Sequence, residues 1–193
     1  MERKLQSIKN HLKESARLKQ TLAESYSESI LQPALVMTDC LENGGKILLC
    51  GNGGSAADAQ HFAAELVGRL KRERPAIPAV ALTTDTSILT AVGNDYGITE
   101  VFRRQVLALG RDTDVLLAIS TSGNSVNVVH AVQAAQEKSI RTLGLLGHDG
   151  GELADLTDYH IIVPSHNSQF VQEAHISIIH MWCELIENAI HPI

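Results

Sequence analysis

Lys46-Ile47-Leu48-Leu49-Cys50-Gly51-Asn52-Gly53-Gly54-Ser55, together with its counterpart Asp114-Val115-Leu116-Leu117-Ala118-Ile119-Ser120-Thr121-Ser122-Gly123-Asn124-Ser125, decides the fold. Each is a short apolar run that ends in a Gly/Ser loop and is followed by a helical pattern. Runs of this length, apolar throughout, read as strands buried on both faces, the habit of a parallel sheet. Glycines let the backbone approach a ligand closely and serines add hydroxyl donors. A following helix N-terminus supplies free amides and a partial positive charge. A strand–loop–helix so equipped suits a phosphate. The second loop contains no Lys or Arg, so amides and hydroxyls would have to hold the anion, as in backbone nests.

Outward from these two units the pattern alternates. Strands are expected near 46–50, 79–83, 115–119, 142–146 and 160–163, separated by helices near 55–70, 86–93, 99–108, 125–138 and 151–156. That is a doubly wound α/β domain, a three-layer αβα sandwich around a five-stranded parallel sheet. Such sheets most often run 2-1-3-4-5, which makes strands one and three neighbours and brings both loops to the switch point where ligands bind. No repeat or linker divides residues 1–193, so a single domain is expected.

Residues 2–43 form an N-terminal helical extension, with apolar positions at Leu5, Ile8, Leu12 and Ala16, then Leu18, Leu22, Tyr26 and Ile30. They read as a helical hairpin or one bent helix, in which Pro33 opens a second helix or kinks the first, and Asn43-Gly44-Gly45 is the stop. Ser168 to Ile190 is helical in period but apolar on most sides, from Phe170 and Val171 through Ile178, Met181 and Trp182 to Leu185 and Ile186. A helix of that kind is buried. One subunit of 193 residues has too little interior to cover both this helix and residues 1–43, so oligomerisation through them is expected.

Composition narrows the function. With 16 Lys+Arg against 22 Asp+Glu the formal net charge is −6, which disfavours a nucleic-acid or anionic-membrane surface. The three cysteines, Cys40, Cys50 and Cys183, have no CxxC spacing, so neither a disulfide framework nor a zinc knuckle is indicated and a reduced cytoplasm fits. The N-terminus MERKLQSIKNHLKES is too charged for a signal peptide, and no apolar run approaches the roughly 18 residues that span a membrane.

Several side chains carry candidate chemistry. His61 and Glu65 stand at i and i+4 on the helix that follows the first loop; the pair is either exposed helix decoration or part of the site that begins at Ser55. On the apolar terminal helix, Gln172, Glu173, His175 and His180 need partners if buried, and most such groups are satisfied core residues. Gly51, Gly53 and Ala56 also satisfy a loose G-x-G-x-x-A dinucleotide fingerprint. That reading expects an acid at the end of strand two, whereas Asp85 comes later, after Thr83-Thr84. It also leaves the second loop without a role.

Taken together, GNGGSAADAQHFAAEL at 51–66, ERPAIPAVALTTD at 73–85, VGNDYG at 92–97, DVLLAISTSGNS at 114–125 and QEAHISIIH at 172–180 resemble the sugar isomerase (SIS) domain family over nearly the whole chain. Within it they are similar to the branch that isomerises sedoheptulose 7-phosphate. The resemblance implies conversion of that ketose to D-glycero-D-manno-heptose 7-phosphate, toward the heptose of the bacterial lipopolysaccharide core. It also implies a cytoplasmic homotetramer with active sites at subunit interfaces. It places the phosphate on Ser120, Thr121, Ser122 and Ser125 and the sugar along Asn52, Gly53, Gly54, Ser55, Asn94 and Asp95, with Arg69 reaching a neighbouring subunit's site.

The same resemblance puts the catalytic pair on Glu65 and His180, because a proton must move between C1 and C2 through an enediol. A carboxylate abstracts it, and an imidazole titrating near working pH passes protons to and from the sugar oxygens. Zinc-bearing members hold the metal through His61, Glu65, Gln172 and His180, all present here, although glutamine is an uncommon zinc ligand and a metal-bound carboxylate is a poorer base. Zinc could instead polarise the substrate oxygens. Gln169-Phe170-Val171 departs from the family pattern before Gln172 and leaves a sugar contact from that turn without support. Two alternatives accompany this reading. One is an isomerase of another sugar phosphate. The other is a non-catalytic adaptor of the same fold that binds the replication initiator DnaA, a paralogue that lacks the catalytic pair.

Overall fold

The computed structural model describes residues 1–192. Two helices, α1 (Glu2–Ser25) and α2 (Ser27–Glu42), precede the sheet. Then come β1 (Ile47–Gly51), α3 (Gly54–Val67), β2 (Ala79–Ala81), α4 (Thr86–Asp95) and, after a single 3-10 turn at Ile98–Glu100, α5 (Val101–Leu109). The chain continues through β3 (Val115–Ser120), α6 (Val126–Glu137), β4 (Arg141–Gly147), α7 (Gly151–Leu156), β5 (Tyr159–Val163) and α8 (Ser168–Ile190).

All strand pairs are parallel, in the order β2-β1-β3-β4-β5. Every residue of β1 and β3 is buried, as their unbroken apolar runs require. Because successive side chains point to opposite faces, these strands feed two cores. Ile47, Leu49, Val115 and Leu117 pack under α2, α3 and α8, with Phe62 and Trp182. Leu48, Cys50, Leu116 and Ala118 pack under α5 and α6, with Phe102 and Val132. The αβα sandwich is therefore as expected. Gly51 pairs with Ile119, so the β1 and β3 loops leave the sheet side by side.

Four expectations need correction. Pro33 does not open the second helix: α2 begins at Ser27 and carries Pro33 inside it. The break lies at Tyr26, whose φ of −124° and ψ of 2° leave helical geometry, so the extension is two helices joined by one residue. The third helix stops at Val67, and Asn94 and Asp95 fall inside the last turn of α4. β2 is shorter than its apolar run because it is an edge strand paired only to β1, and Asp85 caps the next helix by accepting from Ile88 N.

The N-terminal helices do not shield themselves. Leu5, Ile8 and Leu12 are exposed on α1, Leu31 and Leu35 on α2, and Met181 and Leu185 on α8. An apolar groove of about 530 Å³ runs between these helices, lined by Leu22, Ile30, Leu31, Met181 and Leu185. The opposite side of α8 is core. His175, one of the polar groups in doubt, is fully buried there and donates from Nε2 to Leu146 O at 3.0 Å. Burial pushes its pKa down to about 4.

Candidate active site

The first loop turns sharply at Gly53, whose φ of +54° suits glycine and which caps α3. At Gly54 a close approach also demands glycine: an added Cβ would lie 2.3 Å from Gln172 Nε2, so the Gln172 amide rests on the N-terminus of α3. Ser55 is buried while Asn52, Gly53 and Gly54 face solvent. The first turn of α3 thus presents open amides beside a carboxamide from α8.

The second loop is organised by hydroxyls. Ser120 Oγ lies 3.1 Å from Ser125 Oγ and accepts from Gly123 N at 3.1 Å, and Ser122 Oγ accepts from Asn124 N at 3.2 Å. Gly123 has a φ of +69°, and a Cβ there would meet Gly150 O at 1.9 Å, so the loop is pressed against the turn before α7. Leu153 N donates to Gly123 O at 3.0 Å. Thr121, Ser122 and Ser125 are half-buried. The result is a shaped, uncharged cradle at a helix N-terminus, of the kind that binds phosphate. The two loops are tied by a reciprocal amide pair: Asn52 Nδ2 donates to Asn127 Oδ1, and Asn127 Nδ2 to Asn52 Oδ1, each at 2.8 Å.

The titratable groups meet where α3 and α8 pack. His61 Nε2 lies 2.9 Å from His180 Nε2 and 3.4 Å from Glu65 Oε1. The rings stand edge to face, their centroids 5.0 Å apart. A hydrogen bond between two imidazole nitrogens needs an N–H on one ring and a free lone pair on the other. The His61–Glu65 pair on α3 is linked through its imidazole to α8. Asp58, one turn earlier on α3, holds a buried Oδ2 with no partner, and burial raises its pKa to about 6 against the opposing pull of His61. Asp58 is a half-buried acid that nothing in the sequence singles out.

These donors are of the kind zinc accepts, two imidazole nitrogens and a carboxylate, while the Gln172 amide lies against Gly54 at the start of α3. Among the described residues, however, no group of three or more His, Cys, Asp or Glu closes into a metal cage. The chemistry of the set fits the ion; the cage itself is not formed.

Behind the site, Arg74 fastens the two helices. It donates to Glu65 O at 2.7 Å, Leu66 O at 2.6 Å and Gly68 O at 3.1 Å at the end of α3, and pairs with Glu187 of α8 at 3.2 Å. Both ionic side chains are 3% exposed, a buried ion pair. Burial pushes the Glu187 carboxyl up, but Leu70 N–H, Arg74 and Arg72 outweigh it and leave the pKa low.

The structure thus brings Asn52 to the second loop through Asn127, Gln172 to Gly54, and His61 to Glu65 and His180. It does not join Asn94, Asp95 or Arg69 to that cluster by any hydrogen bond or ion pair among the described residues. Asn94 and Asp95 are exposed and bond to each other at 2.8 Å, and Arg69 reaches only Glu73 at 3.4 Å.

Comparison with known proteins follows the same lines. A family model described as SIS domain matches residues 10–147. A phosphoheptose isomerase of Aquifex aeolicus is 49% identical over 186 residues, 96% of this chain and 97% of that one. The structure of phosphoheptose isomerase from Neisseria gonorrhoeae matches with a TM-score of 0.90 at 50% identity, covering 95% of this chain and 98% of that one. A phosphoheptose isomerase structure from Francisella tularensis matches with a TM-score of 0.93 at 41% identity, covering 96% and 98%.

Proposed function

We infer that this chain, which belongs to the SIS-domain family and within it to the phosphoheptose isomerases, interconverts sedoheptulose 7-phosphate and D-glycero-D-manno-heptose 7-phosphate. The observation that carries the reading is the meeting of Glu65, His61 and His180 between α3 and α8, on the helix that opens at the first of two Gly/Ser loops leaving the sheet side by side. The phosphate rests on Ser120, Thr121, Ser122 and Ser125, and the extended sugar runs past Asn52, Gly53, Gly54 and Ser55 toward Gln172.

Catalysis moves one proton from C1 to C2. Glu65, as base, takes a C1 proton; the electron pair becomes the C1–C2 double bond, and the carbonyl oxygen on C2 is protonated to give the enediol. Return of the proton to C2 and loss of the C1 hydroxyl proton then leave an aldehyde at C1. His180 serves the two oxygens, for which an imidazole is suited because it is able to donate and accept near neutrality. His61, bonded to His180 and beside Glu65, fixes the orientation of both.

Zinc is the metal this reading implies, one ion per subunit, held by His61, Glu65, Gln172 and His180, and it would supply Lewis-acid polarisation of the sugar oxygens. The chain assembles as a homotetramer through the exposed apolar faces of α1, α2 and α8, supported by the unshielded Leu5, Ile8, Leu12, Met181 and Leu185. Asn94, Asp95 and Arg69, which make no hydrogen bond or ion pair to the cluster among the described residues, then serve sites across subunit contacts. The enzyme works in the cytoplasm and feeds lipopolysaccharide core heptose synthesis.

A non-catalytic adaptor is not favoured, because relatives matched over nearly their full length are isomerases and both Glu65 and His180 are present. The test is direct: purified protein given sedoheptulose 7-phosphate should form the aldoheptose, and faster turnover of a shorter ketose phosphate would move the assignment to another sugar. Metal analysis before and after chelation checks zinc; full activity without bound metal removes it from the account.

A further inference from the structure

Asn127 is a buried amide in the first turn of α6, 8% exposed, and among the described residues its side chain bonds only to Asn52. Asparagine is a poor helix former, and burying a carboxamide is costly unless its polar atoms are partnered. Here the partner comes from a different loop, 75 positions away in sequence, and the two bonds are mutual. Each amide donates once and accepts once at 2.8 Å, which fixes the rotation of both groups. A flip of either would set donor against donor and acceptor against acceptor.

Asn52 is exposed while Asn127 is not. With one N–H and one lone pair committed inward, Asn52 therefore has one N–H and one lone pair left for the cleft, in a single fixed order. The pair also spans the seam between β1 and β3, whose ends, Gly51 and Ile119, are in register. It is a side-chain bridge between the loop assigned to the sugar and the loop assigned to the phosphate.

We propose that Asn127 is a positioning residue for sugar recognition: acting only through Asn52, it sets which amide atoms the substrate chain meets and holds the first loop at a fixed distance from the phosphate cradle. This rests on the sugar-phosphate reading above. Asn127 makes no bond to Ser120, Thr121, Ser122 or Ser125 side chains, so its effect should fall on the sugar and spare the phosphate.

Two ligands measured by calorimetry, sedoheptulose 7-phosphate and inorganic phosphate, separate these roles. Asn127→Ala should weaken sugar-phosphate binding about tenfold and leave phosphate binding within about twofold. Asn52→Ala should weaken the sugar phosphate to a similar degree, and the double variant should be no worse than Asn52→Ala alone, the non-additivity expected of a pair that works as one unit. Asn127→Ser, which keeps a hydroxyl in the buried space, replaces Asn127→Ala if melting shows the latter unfolded, with the same expectation. Equal weakening of both ligands, multiplicative losses in the double variant, or unchanged sugar-phosphate affinity would each overturn the proposal. A wild-type chain that binds phosphate but not sedoheptulose 7-phosphate would overturn the substrate reading itself, and this inference with it.

Discussion

Replacing Gly54 by alanine would set a Cβ 2.3 Å from Gln172 Nε2, 2.6 Å from its Cδ and 2.7 Å from its Oε1. Ordinary contact begins at 3.4 Å, so the Gln172 amide must retreat by about 1 Å. That movement is inexpensive for the fold. The obstacle is the end of a flexible, half-exposed side chain, the backbone at Gly54 is not in the left-handed region, and alanine is favoured over glycine inside a helix by about 1 kcal/mol. Stability should stay within about 1 kcal/mol of wild type. Function should not: a misplacement of about 1 Å at a substrate-orienting group can cost on the order of a hundredfold, about 2.7 kcal/mol of transition-state stabilisation. The assay pairs urea unfolding with kcat/KM for aldoheptose formation. Gly123→Ala is the contrast, because its Cβ would strike Gly150 backbone at a φ of +69° and should cost the fold itself about 3 kcal/mol. Wild-type kcat/KM in a folded Gly54→Ala enzyme would refute the role given to Gln172; so would an activity loss fully explained by unfolding.

Other consequences are open to measurement. His175 has its pKa depressed to about 4 by burial, so the folded state binds fewer protons than the unfolded between about 4 and 6.5; stability is full above that window and falls with pH through it, by on the order of 3 kcal/mol. Urea midpoints at pH 7 and pH 5 should therefore differ, and His175→Gln should flatten the difference. Arg74→Met, which strands the buried Glu187 carboxylate, should cost about 3 to 5 kcal/mol in the same unfolding assay, whereas the exposed pair Arg69–Glu73 should contribute under about 1 kcal/mol. Replacing Leu5, Ile8 and Leu12 together by glutamine should lower the mass seen by light scattering below that of a tetramer, and an unchanged mass would remove α1 from the interface.

The central strands are legible because burial on both faces forces an unbroken apolar run, and the Gly/Ser loops because few other residues suit an uncharged anion cradle. β2 is less so: an edge strand needs less apolar length, and Thr83-Thr84-Asp85 already belongs to the entry of α4. The helix break at Tyr26 defeats the Pro33 expectation because a proline inside a helix is tolerated when tertiary packing holds that helix; Ile30, Ala34 and Met37 are all buried around it. In the site, His61 and Glu65 share a helix spacing that is readable. The approach of His61 to His180 across 119 positions is a product of packing between α3 and α8, which no local pattern reports. Asn127 and Arg74 are hidden for the same reason. An asparagine in a helix and an arginine in a loop look ordinary until their buried partners are seen.

The central claim is that a carboxylate on α3 and an imidazole on α8 share one proton-transfer task. Its most direct test is steady-state turnover of sedoheptulose 7-phosphate by wild type, Glu65→Gln and His180→Ala, each with its fold confirmed. A loss of about a hundredfold or more in kcat is expected for each variant. Near-wild-type turnover by both would contradict the assignment.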